Sequence, residues 1–488
     1  MFRLWLATLF LAPFLLHSAY AQVDDQWFYA EDEDNNQIVA YNRDGEVVTV
    51  LELSDDTTRQ GGWRIDTQTL LAIIEDATGE MSMVILSPDG AQPISFSFDY
   101  VPQVVAYHYP YAVLMPTEPT REATLAVLVN VEAATATPLG SDVAPIFEAS
   151  PCCRFSEDGA SLRYIAKIQL DENDVDAAIF EFRERDLATG EERDIYSVES
   201  VKADNGPQVS RWQPDLVGNR WLLLTSERND GNILRTTWMI TLDGSAELLD
   251  EARSDDEIVP IYGFWGDSMW ITDVICQGGC TLDVYDEQGN EIISVQVQTE
   301  DFFRQIHYVG DGYVVAASDA AFLHMTPDAP PEIIGYRDPS VLSGVTLSPN
   351  SRLLALMDAE NNGQHYFIYD NLSGEIIYSR PLEGVSFIVN TLQGDWLRTY
   401  ITTRVDGEFR DIYVIADPNT AEVVEVVFQR ELVGQILSLD ELIVWERDGE
   451  ADTNRIYIHD VSTGEESLLL EGNYFLIDGT NIEDAVRN

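Results

Sequence analysis

The sequence predicts an all-β fold, a β-propeller of four-stranded antiparallel blades. Three observations carry that expectation. A unit recurs along nearly all of the chain, and its fullest copy is VTLSPNSRLLALMDAENNGQHYFIYDNLSGE, from Val345 to Glu375. It reads as a short strand, a Ser-Pro-Asn turn, an apolar strand, an acidic Asn/Gly loop, an aromatic strand and a Ser-Gly-Glu turn. Such units returning about every 40 residues are a propeller signature. Second, alternating strand-like runs bounded by Gly, Asp, Asn and Pro fill the chain, with no segment of helical period. Third, the two ends complement each other as parts of one blade.

Taken in order, Met1 to Ala21 begin with a lone Arg3, an apolar run from Leu4 to Leu16 and the exit Ala19-Tyr20-Ala21. This is the pattern of a secretory signal peptide cut after Ala21, and the apolar run is short for a membrane span. Gln22 rather than Cys follows the cut, so no lipid attachment is expected. The mature protein is expected to be secreted or periplasmic, with the propeller over 22–479 and a polar tail over 480–488. QWFYAEDEDNNQIVAYNRDGEVVTVLEL reads as the second, third and fourth strands of a blade, and Asn473 to Gly479 as a first strand. Tyr474 to Ile477 should pair beside Trp27 to Ala30, closing a ring and removing two exposed edges. Between the ends, units begin near Trp63, Val104, Pro145, Val209, Val259, Gln305, Val345, Val385 and Gln435. With the first unit they number roughly ten, beyond the usual range of blades, so two smaller propellers or fewer, larger blades stand as alternatives.

The units resemble the TolB-like, WD-repeat-like propeller repeats of periplasmic and secreted bacterial proteins. The resemblance rests on Leu347-Ser348-Pro349-Asn350 with Leu353-Leu354-Ala355-Leu356, and on Tyr366-Phe367-Ile368-Tyr369-Asp370 with Ser373-Gly374-Glu375. A second match is Phe155-Ser156-Glu157-Asp158-Gly159, followed by Ile179-Phe180 and Thr189-Gly190-Glu191. It implies a binding platform, or the substrate-gating domain of a serine peptidase whose catalytic half is not seen in this chain.

Charge narrows the partners. The chain carries 28 Lys+Arg against 85 Asp+Glu, a net charge of −57, and Lys167 and Lys202 are its only lysines. Such a surface repels phosphate backbones, so no nucleic acid is expected as partner, and no later segment is apolar enough to insert in a membrane. Acidity spread along the whole chain fits a salty medium, where screening relieves self-repulsion. At 45% hydrophobic residues the chain has material for a core.

The cysteines are Cys152, Cys153, Cys276 and Cys280. An even number in an exported chain suggests disulfides. Cys276 and Cys280, separated by Gln-Gly-Gly between two strand-like runs, are expected to staple a hairpin tip. The adjacent Cys152 and Cys153 are expected to form either a vicinal disulfide or two buried thiols.

Catalytic patterns are sparse. Gly159-Ala160-Ser161-Leu162-Arg163 lacks the second glycine of a nucleophile elbow. The histidines are scattered without zinc spacing, and His365 and His459 lie beside aromatics as packing residues would. Acidic loops recur between presumed second and third strands, on one face of a propeller. Asp358-x-Glu360-x-Asn362-Gly363 opens like a calcium loop, although Tyr369 stands where a bidentate carboxylate is needed. Asp171, Asp174, Asp358 and Glu360 are the candidate calcium ligands, and no other cofactor is indicated. Trp212, beside Gln213-Pro214-Asp215, is a candidate for the pocket mouth. The function expected from these residues is a non-catalytic binding or scaffold protein for a protein, peptide or polysaccharide. The alternative is an extracellular carbohydrate-active hydrolase or lyase using channel carboxylates.

Overall fold

The computed structural model describes residues 26–481 apart from a set of loops, the longest being 117–125, 140–152, 254–259, 274–279, 337–344 and 359–364. Among the described residues there is no helix. The strands form ten sheets, nine of four strands and one of five. In chain order the sheets occupy residues 27–52 with 474–477, 58–98 with 480–481, 102–138, 153–200, 208–253, 260–297, 303–336, 345–381, 385–428 and 431–472. Within each sheet the sequential strands pair antiparallel. Strands start at Val345 and Val385 where units were expected, and at Cys153 where the expected start, Pro145, lies outside the described residues.

The chain ends share the first sheet. Tyr474–Ile477 runs antiparallel to Trp27–Asp32, with Tyr29 opposite Ile477 and Asp32 opposite Tyr474. Thr480–Asn481, the first two residues of the expected tail, lie parallel to Thr58–Arg64 as a fifth strand of the second sheet.

Position in the sheet explains the strand sequences. Second and third strands are covered on both faces by neighbouring sheets, so they read as continuous apolar runs. Leu70–Glu75 (LLAIIE) and Tyr111–Pro116 (YAVLMP) are buried along almost their whole length. Fourth strands form exposed edges and carry charge: Glu192–Ser200 begins Glu-Arg-Asp with all three residues exposed. Charged edges resist pairing with another chain.

Apolar clusters lie between sheets rather than within one. One joins the first and second sheets through Tyr29, Ile38, Leu70 and Leu86, and another joins the third and fourth through Val113, Cys153 and Tyr164. Phe180, Trp212 and Trp221 join the fourth to the fifth. Phe28 and Tyr41 pack on Ile443 and Ile456, joining the tenth sheet to the first.

Turns between third and fourth strands repeat one device. Asp186, Asp370, Asp417 and Asp460 each accept, at the backbone carbonyl, the N–H of the residue four positions on, at 2.7 to 2.9 Å. Their Oδ1 atoms accept a second turn N–H, such as Thr189 at 2.7 Å and Thr463 at 2.8 Å. The fourth residue is left-handed: Gly190, Gly374 and Gly464 have φ between 71° and 73°, and Ala421 has 63°.

Candidate functional site

The turns between first and second strands build the candidate site, and they too repeat. Ser156, Ser348 and Asp215 occupy one position. The N–H of each donates to the carbonyl five residues on, at 2.9, 2.8 and 3.0 Å. The side-chain oxygen of each accepts the N–H from that same residue: Ser161 at 2.9 Å, Leu353 at 2.9 Å and Arg220 at 3.1 Å. A short side-chain acceptor at a turn start satisfies a donor that the ladder leaves unpaired. In the fifth sheet that acceptor is a carboxylate instead of a hydroxyl. Asp215 is 2% exposed. It also takes the Asn219 N–H at 2.7 Å and the Arg220 Nε at 3.2 Å. Burial raises its titration above the ordinary carboxylate range, against the pull of Arg220 and the turn N–H groups.

Two residues before each turn acceptor stand Arg154, Gln213 and Thr346, again one position of the repeat. Cys153 and Phe155 point into the cluster shared with the third sheet, so strand alternation turns Arg154 toward the fifth. The backbone there comes close: a Cβ added to Gly218 would lie 3.1 Å from Arg154 Cβ and 3.4 Å from Arg163 Cδ. Arg154 Nε is shielded from solvent and has no hydrogen-bond partner among the described residues. Burial pushes this guanidinium down to about 10, and Asp215 pulls it back up.

The neighbouring charges are committed. Arg163, directly across from Arg154, donates through Nε to Glu184 at 3.1 Å and through Nη1 to Asn219 at 2.8 Å. Burial alone would raise Glu184, but donors from Arg193, Arg163 and Ser161 hold it below its usual range. Arg220 pairs with Asp215 and lies 5.0 Å from the Phe264 ring centre. Arg154 thus lies near committed charges: Arg163 and Arg193 on Glu184, and Arg220 on Asp215.

The calcium candidates do not share this junction. Asp171 and Asp174 face each other across the hairpin of the fourth sheet, by backbone register. Asp358 ends a strand of the eighth sheet opposite His365, and Glu360 lies outside the described residues. Among the described residues no three His, Cys, Asp or Glu side chains converge as a metal site. Cys153 is fully buried and is not a free thiol, and Cys280 opens the third strand of the sixth sheet. Neither expected pairing is described, because Cys152 and Cys276 lie outside the described residues. Trp212 corrects an expectation: it is 1% exposed, with its ring 5.6 Å from Phe180, and packs in the core rather than at a pocket mouth. Sequence reasoning passed over Arg154. The available signal was the alignment of Arg154-Phe155-Ser156 with Gln213-Pro214-Asp215, which puts an arginine where a sister unit has an amide.

No family model matches the chain, and no curated protein matches it. Solved structures similar to it include Porphyromonas gingivalis dipeptidyl peptidase 4, at 8% identity and a TM-score of 0.42. That likeness covers 81% of this chain and 64% of the peptidase, so the chain spans less than two thirds of it. An oligogalacturonate lyase in complex with manganese is similar at 10% identity and TM-score 0.31, over 92% of this chain and 96% of that one. The β-propeller domain of the Pyrococcus furiosus trilobed protease is similar at 14% identity and TM-score 0.29, over 66% and 95%. The expected non-catalytic binding role is corrected on this point: similar structures with a named activity are mostly enzymes, prolyl endopeptidases and an acylaminoacyl peptidase included.

Proposed function

We propose that this protein is an exported carbohydrate-active enzyme, a hydrolase or lyase of extracellular polysaccharide, on one closed ring of ten TolB-like blades. The ring reading is supported by packing of the tenth sheet on the first and by the sheet that the two chain ends share. The TolB-like reading is supported by the repeated Ser156 and Ser348 turns and the Gly-ended turns of Asp186, Asp370 and Asp460. In such a ring the first strands border the axis, which brings the junction of the fourth and fifth sheets to the channel.

The observation that carries the enzymatic reading is Asp215 beside Arg154. A carboxyl group of raised titration in the turn after one first strand, near a guanidinium on the adjacent first strand whose Nε has no partner among the described residues, is the kind of perturbed pair that marks reactive sites. Among the described residues Asp215 is the one carboxyl group whose titration is raised. Hydrolysis by two carboxyl groups would need a second. The pair therefore supports a mechanism that leans on the cation, with Asp215 and Arg220 holding the turn that faces it.

The test is to incubate the purified, exported protein with neutral and acidic polysaccharides. New reducing ends measure cleavage of either kind, and ultraviolet absorbance of an unsaturated sugar product separates elimination from hydrolysis. Cleavage that is lost in Arg154→Gln is the expected result. No cleavage across the panel would overturn the enzymatic reading.

A further inference from the structure

We propose that the Arg154 guanidinium is a receptor for one carboxylate group, so that the polysaccharide handled here bears uronic acids. This rests on the carbohydrate reading above and names its substrate class.

The repeat itself argues that Arg154 is not a structural bridge. At the same position in the fifth sheet, Gln213 donates through Nε2 to the Phe264 carbonyl at 2.8 Å and ties its first strand to that of the sixth. The first strand of the ninth sheet uses the same chemistry, Gln393 Nε2 donating to the Gly434 carbonyl at 2.9 Å. Arg154 makes no such tie among the described residues. Its Cβ lies against Gly218, while its Nε has no partner among the described residues.

The surrounding donors cannot substitute for it. Arg163 is held by Glu184 and Asn219, and Arg220 by Asp215 and the Phe264 ring. Arg154 is left with a planar fork of donors, whose geometry suits a carboxylate at two points. A cation partly taken out of water without a partner is disfavoured, and an entering anion relieves that cost. Asp215 offers attraction without a hydrogen bond, because its oxygens already serve the turn and Arg220. In a chain of net charge −57, an acidic polymer also needs a cation to receive it.

The experiment is calorimetric titration with galacturonate and mannuronate oligosaccharides, each beside its methyl ester. The acid form should bind the wild-type protein at least about 10-fold more tightly than the ester, the range of one charge-assisted contact. Arg154→Gln installs the residue of the sister unit and should erase that preference without lowering the melting temperature. Arg154→Lys keeps the charge without the fork and should retain part of it. Equal binding of acid and ester by the wild type, or an unchanged preference in Arg154→Gln, overturns the proposal. If Arg154→Gln fails to fold, the wild-type and Arg154→Lys comparisons decide. Preference for the acid without cleavage sinks the enzymatic reading alone, and cleavage of neutral polymers without preference sinks this inference alone.

Discussion

Gly434 and Leu476 interlock where the tenth sheet meets the first: a Cβ on Gly434 would lie 1.8 Å from Leu476 Cδ2. Gly434 sits in the first strand of the tenth sheet, and Leu476 in the C-terminal strand that pairs with Trp27–Asp32. The bare backbone of one gives the other its seat, and Leu476 then packs on the cluster of Phe28, Tyr41, Ile443 and Ile456. The seam between the tenth sheet and the first therefore depends on an absent side chain.

Gly434→Ala should destabilise the protein by about 1–3 kcal/mol, the usual cost of overpacking. Leu476→Ala opens space beside it, so the double variant should lose less than the sum of the two single variants. A coupling of about 1 kcal/mol in a denaturation cycle is the expected figure. Strictly additive losses would show that the two residues do not compete for one space.

Ala421 stands at the left-handed turn position where three sister turns have glycine, with φ of 63°. A side chain in that region costs about 1–2 kcal/mol, while glycine gives back about 0.4–1 kcal/mol through a freer unfolded chain. Ala421→Gly should thus gain about 0.5 kcal/mol, and Gly464→Ala should lose a similar amount. Thermal melts of both variants check this. A lower melting temperature for Ala421→Gly would contradict the account.

The turn aspartates predict how acid unfolds the protein. Asp243 accepts the Thr241 hydroxyl at 2.6 Å and the Ser245 N–H at 2.9 Å, and these donors hold it down to about 2, against an ordinary 3.8. Thr241, Ser156 and Ser462 hydroxyls do the same work for Asp243, Asp158 and Asp460, all held below their usual range. A depressed carboxyl group stabilises the fold fully above its unfolded value and loses that contribution as pH falls through the folded value. The stability difference between wild type and Asp243→Asn should be constant from neutral pH to about 5, shrink as pH falls and vanish only below about pH 2. A difference independent of pH across that window would exclude the mechanism.

The architecture was largely legible because the repeat writes its turns in side chains. Ser348 and Ser373-Gly374-Glu375 mark the two turns at one end of a sheet, the first by its side-chain acceptor and the second by a left-handed glycine. The split first sheet was legible from a missing strand at one end and a surplus strand at the other. The junction at Arg154 was not, because its meaning lies in a comparison between units whose turn acceptors differ, Ser156 against Asp215. Trp212 was misplaced for a related reason. Nearness to a turn in sequence says nothing about which face a strand residue takes, and the alternation set by Arg211 and Gln213 sends it inward.

Net charge supplies the last prediction. With 85 acidic residues against 28 basic ones, the folded chain confines like charges that the unfolded chain can spread. Screening acts over about 10 Å at 0.1 M salt and about 3 Å at 1 M, so added salt should relieve this repulsion progressively. The melting temperature should rise steeply with sodium chloride at low concentration and level off near molar salt. Ion pairs on the sheet faces work in the opposite sense: Arg43–Glu441 at 2.7 Å and Arg455–Glu446 at 2.8 Å are partly exposed and should weaken with screening. Since exposed pairs contribute little and the excess charge is large, repulsion should dominate the sum. Melting curves from 0.05 to 1 M sodium chloride, at about pH 7, distinguish the two. A melting temperature that falls with salt would mean that the ion pairs, rather than the unbalanced carboxylates, govern the stability of this surface.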